Sequence, residues 1–270
     1  MSEAKPNHPN ESAEQEEFGL SDRLLGAITS PAETFEEIAK RPVKTTHWLL
    51  PFLFISIAAA VMVVVMMRDP EIRQEARRAQ MEQIDERFDE AVKSGEMTRA
   101  EADQQKEMIR KQMGKMGGLM PVISAVSVFL FGFIIFFVVS AVHFLIARFA
   151  LGGEGGYQHA LVANATVAYI SIIGILVTLA LALATGSGFD SLGLGALAGL
   201  EKGTAARFWI NRIDVFYLWA LVVTGVGLAK LYKSEKTGAY VGSLFALYLV
   251  WSLAVFFLKD TLPFLQNFAR

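Results

Sequence analysis

Residues 47–67 read HWLLPFLFISIAAAVMVVVMM. The block holds no Asp, Glu, Lys or Arg. At about 1.5 Å of rise per residue it is long enough, as a helix, to cross a hydrocarbon core about 30 Å thick. Four further apolar blocks follow, at Leu119–Ala147, Ala160–Thr185, Ile213–Leu231 (with Asp214 at its start and Lys230 at its end) and Ala239–Leu258. The ten-residue alternation of a membrane barrel is missing, so the backbone in lipid must satisfy itself through helices. The expected fold is all-α: a polytopic integral membrane bundle of five transmembrane helices, over 47–67 and 119–258, with an inserted soluble helical hairpin at 68–118. The third block is rich in small residues, among them Ala163, Ala168, Gly174 and Ala182. Close approach at small residues lets helices associate in lipid, which places this block in the middle of the bundle.

Composition points the same way. Of 270 residues, 53% are hydrophobic and 19% charged, where a soluble domain carries about 25% charge. The charges are crowded into the segments between the blocks. Net charge is -2, which offers no basic stripe, so nucleic acid is not an expected partner. Cysteine is absent, which excludes disulfides, zinc thiolates, iron–sulfur clusters and cysteine nucleophiles. The first residues are polar and acidic and lack the basic start and apolar core of a secretory signal, so insertion is expected from the internal blocks.

The polar segments divide further. Residues 1–17, with five glutamates and Lys5 as the one base, read as a disordered acidic tail. Residues 18–46 read as amphipathic interfacial helices: Leu20, Leu24, Leu25 and Ile28 recur at helical spacing, then Ser30-Pro31-Ala32-Glu33 resembles a capped helix start carrying Phe35 and Ile38. Such helices lie along the membrane surface, pack on the bundle's own loops, or do both. Residues 68–118 hold 11 basic and 12 acidic residues. One helix fits Glu71–Val92, Lys93-Ser94-Gly95-Glu96 breaks it, and Thr98-Arg99-Ala100-Glu101 is a capping box that starts another. The hairpin's thin apolar face needs the membrane surface, a second copy or a partner protein to cover it. A short interfacial or re-entrant piece is expected at Leu192–Leu200, and a short C-terminal tail at 259–270.

Lys and Arg in short loops favour the cytoplasm. Lys40, Arg41 and Lys44 precede the first span, and Lys230, Lys233 and Lys236 lie between the fourth and fifth. With five crossings these two clusters fall on one side, so the N-terminus is expected in the cytoplasm and the C-terminus outside. The hairpin's bases then lie outside, against the rule.

No spacing in the chain brings two histidines to one helical face as metal ligands, and no nucleophile motif occurs. No catalytic residue, metal or cofactor is therefore expected. The candidate intramembrane polar groups are His143, Asn164 and Asp214. Asp214 stands in the first turn of the fourth block, where a carboxylate suits the helix dipole. Asn164 is expected to donate a hydrogen bond between helices, and His143 to be hydrogen-bonded between helices or to face headgroups. The aromatic residues near the ends of the last two spans, including Tyr217, Tyr232, Tyr240 and Trp251, read mostly as interface belts.

Ser30-Pro31 followed by Phe35, Ile38 and Pro42 just before the first span resembles bacterial members of the Ypt/Rab-interacting (Yip) membrane-protein family. The turn Gly152-Gly153-Glu154-Gly155-Gly156-Tyr157 is similar to that family's glycine-rich link before the third span. Asp214-Val215-Phe216-Tyr217-Leu218-Trp219, then Gly225-Val226-Gly227 and Lys236, resembles its Asp-x-Phe-x-x-Trp span with the following small residues. The resemblance covers roughly 20–67 and 119–258; the 68–118 hairpin is additional. It implies five spans, a cytosolic N-terminus and, from the bacterial members, the bacterial cytoplasmic (inner) membrane. Proline is often found inside the family's third span, and Tyr169-Ile170-Ser171 has none. The expected function is a non-enzymatic scaffold or adaptor that contacts membrane lipid, with protein partners or self-association through 68–118. Asp214, Phe216 and Trp219 would anchor the fourth span, and Gly225 and Gly227 would let a neighbour approach. The alternative is a small transporter or lipid-handling protein with a polar intramembrane site.

Overall fold

The computed structural model describes residues 19–116, 119–186, 191–201, 203–259, 261, 262 and 265. The acidic tail at 1–17 and most of the C-terminal tail lie outside the described residues. Among the described residues there are helices and no strands.

Two short helices, α1 (Leu20–Thr29) and α2 (Pro31–Ala39), come first. Pro31 opens α2 with the backbone angle a first helical turn needs. Ser30 occupies the cap position, but its side chain makes no capping bond, so the capping box expected with Glu33 does not form. Ser30 also closes α1, its N–H donating to Gly26 O at 2.8 Å. That double duty leaves it at φ -143°, ψ 61°, outside the extended conformation usual for a capping serine.

The first span, α3 (Thr46–Met66), is 21 residues long, about 31 Å of rise. It runs into the hairpin α4 (Pro70–Lys93) and α5 (Arg99–Met116). Asp69 caps α4 by accepting from Glu71 N at 2.8 Å and Ile72 N at 3.1 Å. Thr98 and Glu101 form the reciprocal box that starts α5, Thr98 N donating to Glu101 Oε2 at 2.8 Å and Glu101 N to Thr98 Oγ1 at 3.3 Å. The two helices pack chiefly on each other. Lys106 fastens them, reaching Asp85 at 3.3 Å and Asp89 at 3.2 Å.

The second span, α6 (Met120–Leu145), continues through one π-helical turn at Ile146–Ala150. It lies against α3 through aromatic rings, Phe52 meeting Phe136 at 4.8 Å and Trp48 meeting Phe137 at 5.6 Å between centroids. The third apolar block is one candidate span, Tyr157–Thr185, in two helical pieces: α7 (Tyr157–Thr166) and α8 (Ala168–Thr185). The break at Val167 comes without proline. Thr166 Oγ1 donates to Val162 O at 2.8 Å and Ser171 Oγ to Val167 O at 3.4 Å, and such hydroxyl back-bonding loosens a helix locally.

The expected piece at Leu192–Leu200 is a single turn, α9 (Leu194–Leu197), packed on α10 (Ala205–Asn211). The fourth block is shorter as a helix than its apolar length: α11 (Val215–Leu231) has 17 residues. It reaches spanning length only together with α10, which meets it at a 47° bend. The last span is α12 (Thr237–Leu258). Among the described residues four helices are thus long and apolar enough to cross a membrane, or five if the bent α10–α11 pair is one span.

These spans leave their apolar side chains outward. In the most apolar stretch of Val122–Ala150 no residue is buried within the protein. Phe149 is 73% exposed, Phe257 70% and Val250 63%. Keeping such a side chain out of water is worth about 1.5–3 kcal/mol, so this surface is one for acyl chains. The protein's own core lies elsewhere, where α2, α7 and the α11–α12 turn converge around Phe35, Ile38, Val162, Leu228, Tyr232 and Tyr240.

Candidate functional site

Two sets of residues singled out from the sequence, Phe35 near the N-terminus and Gly225–Gly227 in the fourth span, meet in that core. α2 lies on α11 so closely that a Cβ at Gly227 would stand 2.5–2.8 Å from the Phe35 ring atoms. Phe35 is fully buried there. Two residues earlier, on the opposite side of α11, Gly225 sits against Val241 of α12, whose Cα would lie 2.7 Å from a Cβ at 225. The two glycines therefore serve different neighbours, an amphipathic helix and a spanning helix.

An ion pair closes the α2–α11 seam: Lys230 Nζ lies 2.7 Å from Glu36 Oε1. The hydrogen bond and the charge of Lys230 hold the Glu36 carboxyl below the usual carboxylate range. Since Lys230 ends the fourth span and Glu36 precedes the first, both chain segments lie at one end of the bundle. The glycine-rich turn completes that end. Tyr232 stacks against Gly155, and its hydroxyl donates to Gly156 O at 3.0 Å. Tyr240 donates to Ala147 O at 3.3 Å, inside the π-helical turn. Both tyrosines are buried, unlike the interface belt their positions near span ends suggested. In sequence, a tyrosine that docks a loop and one that faces headgroups occupy the same kind of position.

The other motif residues are placed as follows. Asp214 caps α11, its carboxylate accepting from Tyr217 N at 3.0 Å. Phe216 faces Gly174 of α8, at 3.5 Å from a Cβ there. Trp219 packs on the edge of the core. Lys236 stands at the cap position of α12, its N–H donating to Ser234 Oγ at 3.3 Å. Ser30 and Pro31 form the tight turn between α1 and α2.

Of the candidate polar groups at membrane depth, His143 and Asn164 come together and Asp214 stays apart. His143 of α6 is buried and its Nδ1 lies 2.9 Å from Asn164 Oδ1 of α7. The expected interhelical donor Asn164 instead accepts through Oδ1, while its amide NH2 donates within α7 to Ala160 O at 2.8 Å. Asn164 also borders a cavity of about 340 Å³ between α3, α6 and the α7–α8 break, where Ser56 and Ser171 are the other polar members of a mostly apolar wall. Arg207, a candidate from its sequence position to pair with Asp214, is buried and donates to Gly195 O at 2.7 Å and Leu200 O at 3.1 Å, tying α10 to α9. Among the described residues no group of three or more His, Cys, Asp or Glu is placed to hold a metal ion.

Comparison with known proteins bears on this arrangement. The Yip1 domain matches residues 25–256, from α1 to the end of α12. The chain belongs to the Yip1 family. A Yip1 domain here therefore includes both Phe35 of α2 and the Gly225–Gly227 stretch it packs against. A curated relative is the protein named membrane protein YknW of Bacillus subtilis (strain 168), 26% identical over 235 residues, which cover 85% of this chain and 88% of that protein. No solved structure matches this Yip1 protein. The apolar outer surface and the family together make it an integral membrane protein in contact with lipid.

Proposed function

We propose that this Yip1 protein is a non-enzymatic scaffold or adaptor of the bacterial cytoplasmic (inner) membrane. Its N-terminus would be cytoplasmic and its 68–118 hairpin would be the element that docks partner proteins or a second copy. The observation that carries the reading is the hairpin itself. Its helices are capped at Asp69 and Thr98, are fastened by Lys106, and pack chiefly on each other. They thus present a charged surface of their own. The lysine and arginine clusters at 40–44 and 230–236 support a cytoplasmic N-terminus. Their common end is the seam of α2 and α11, which would fix the interfacial helices to the bundle. Pull-down from detergent with the full chain, and with 68–118 replaced by a short Gly/Ser linker, tests this. Loss of the same partners or of self-association on deletion is expected; an unchanged partner set refutes the docking role.

The lipid-handling or transport reading has one observation of its own, the cavity at the α7–α8 break that reaches Asn164. On that reading Asn164→Leu abolishes solute or lipid movement in proteoliposomes. On the scaffold reading neither chain moves any.

A further inference from the structure

A second cleft, of about 360 Å³, opens between α1, the link from α2 to α3, and the start of α8. Its lining includes Arg23, Arg41, Lys44 and His47 together with Thr166 and Tyr169. Among the described residues no carboxylate lines it. Glu37, outside the lining, holds Arg41 at 3.1 Å.

Two features of the cleft call for an acceptor. Both ring nitrogens of His47 face N–H groups: Nδ1 lies 3.4 Å from the Lys44 backbone amide and Nε2 3.3 Å from the Arg23 guanidinium. A neutral imidazole accepts at one nitrogen and donates from the other. In either tautomer one ring N–H is left facing another donor, and an oxygen between them would satisfy both. The second feature is Tyr169. It is 4% exposed, lines the cleft, and its hydroxyl has no hydrogen-bond partner. A buried hydroxyl left this way is costly unless something binds to it.

The depth of the cleft narrows what that something is. α3 is only about as long as the hydrocarbon core is thick. Its first turn, which supplies His47 to the cleft, therefore lies at headgroup level. Leu50, also in the lining, is 42% exposed and stands where a chain leaving the cleft would enter the core.

We infer that this cleft binds a phosphate group, that of an anionic phospholipid headgroup. Arg23, Arg41 and Lys44 supply positive charge, and Tyr169 Oη and a His47 ring N–H donate to the phosphate oxygens. Such oxygens take charge-assisted bonds from several donors at once. The inference needs only that the chain spans the membrane and does not rest on the scaffold reading.

The test uses the full chain in dodecyl maltoside. Phosphatidylglycerol, phosphatidylcholine and inorganic phosphate are added separately, with thermal unfolding and native mass spectrometry as readouts. Phosphatidylglycerol is expected to raise the unfolding temperature and to be retained by the protein, with little effect of the other two. Tyr169→Phe removes only the partnerless hydroxyl, so it should unfold no earlier than the parent without lipid. Its apparent affinity for phosphatidylglycerol should nevertheless fall about tenfold. Lys44→Gln should weaken it similarly, and Lys111→Gln on α5 should not. Equal responses to the two lipids, or a phosphatidylglycerol response unchanged in both Tyr169→Phe and Lys44→Gln, overturn the site. A shift from inorganic phosphate as large as from phosphatidylglycerol overturns the lipid assignment.

Discussion

A single hydrogen atom at position 227 decides how α2 joins the bundle. The Phe35 ring occupies the space that any larger side chain would need. Gly227→Val should therefore destabilise the protein by about 1–3 kcal/mol, the usual cost of overpacking. It should also free α2, seen as a lower unfolding temperature in detergent and faster proteolysis near residue 40. Phe35→Leu in the same chain should recover part of the loss; no recovery would mean the two residues do not share one packing site. At this scale the sequence is half legible. Small residues at 225 and 227 announce room for a neighbour, but an aromatic ring almost 200 residues away carries no mark of being that neighbour. The same holds for His143 and Asn164. Each is legible as a polar group in an apolar block, while their meeting depends on how α6 and α7 are rotated about their axes. Burial of the tyrosines at 232 and 240 is illegible for a related reason, since it is imposed by the glycine-rich turn rather than by the spans.

Helix ends and breaks set the next scale. The hairpin was legible because its stops and starts are written in local chemistry: Asp69-Pro70, Ser94-Gly95 and Thr98-x-x-Glu101. The break at Val167 and the bend between α10 and α11 were not, since an apolar block reads as continuous whether or not hydroxyls or a loop interrupt it. The hairpin also has a pH signature. Hydrogen bonding to Lys106, with the charges of Lys106 and Arg99, holds the Asp89 carboxyl below its ordinary value. A carboxyl whose folded pKa is depressed stabilises the fold above its unfolded pKa, and that contribution disappears as pH falls through the folded value. The link between α4 and α5 should therefore loosen in acid, below about pH 4. Pepsin digestion at about pH 4 and about pH 2.5 should show residues 68–116 cut faster at the lower value, relative to an unfolded standard. Lys106→Met should abolish the difference. Equal relative rates in the parent chain would show that these ion pairs do not close the hairpin.

Across the whole molecule the governing term is the exchange of water for acyl chains around the spans. That was the most legible feature, because it depends on the length and composition of blocks rather than on side-chain geometry. The count of crossings is where architecture and function join. It sets which face carries the hairpin, and hence which partners could reach it. It turns on whether the bent α10–α11 pair crosses the bilayer. The chain contains no cysteine, so single cysteines can be placed without background at Lys40, Ser94, Glu235 and Thr261. Labelling with a membrane-impermeant maleimide, from each face of sealed vesicles, measures the count directly. Five crossings predict that Lys40→Cys and Glu235→Cys react from one face and Ser94→Cys and Thr261→Cys from the other; reaction of Glu235→Cys and Ser94→Cys from the same face would contradict it.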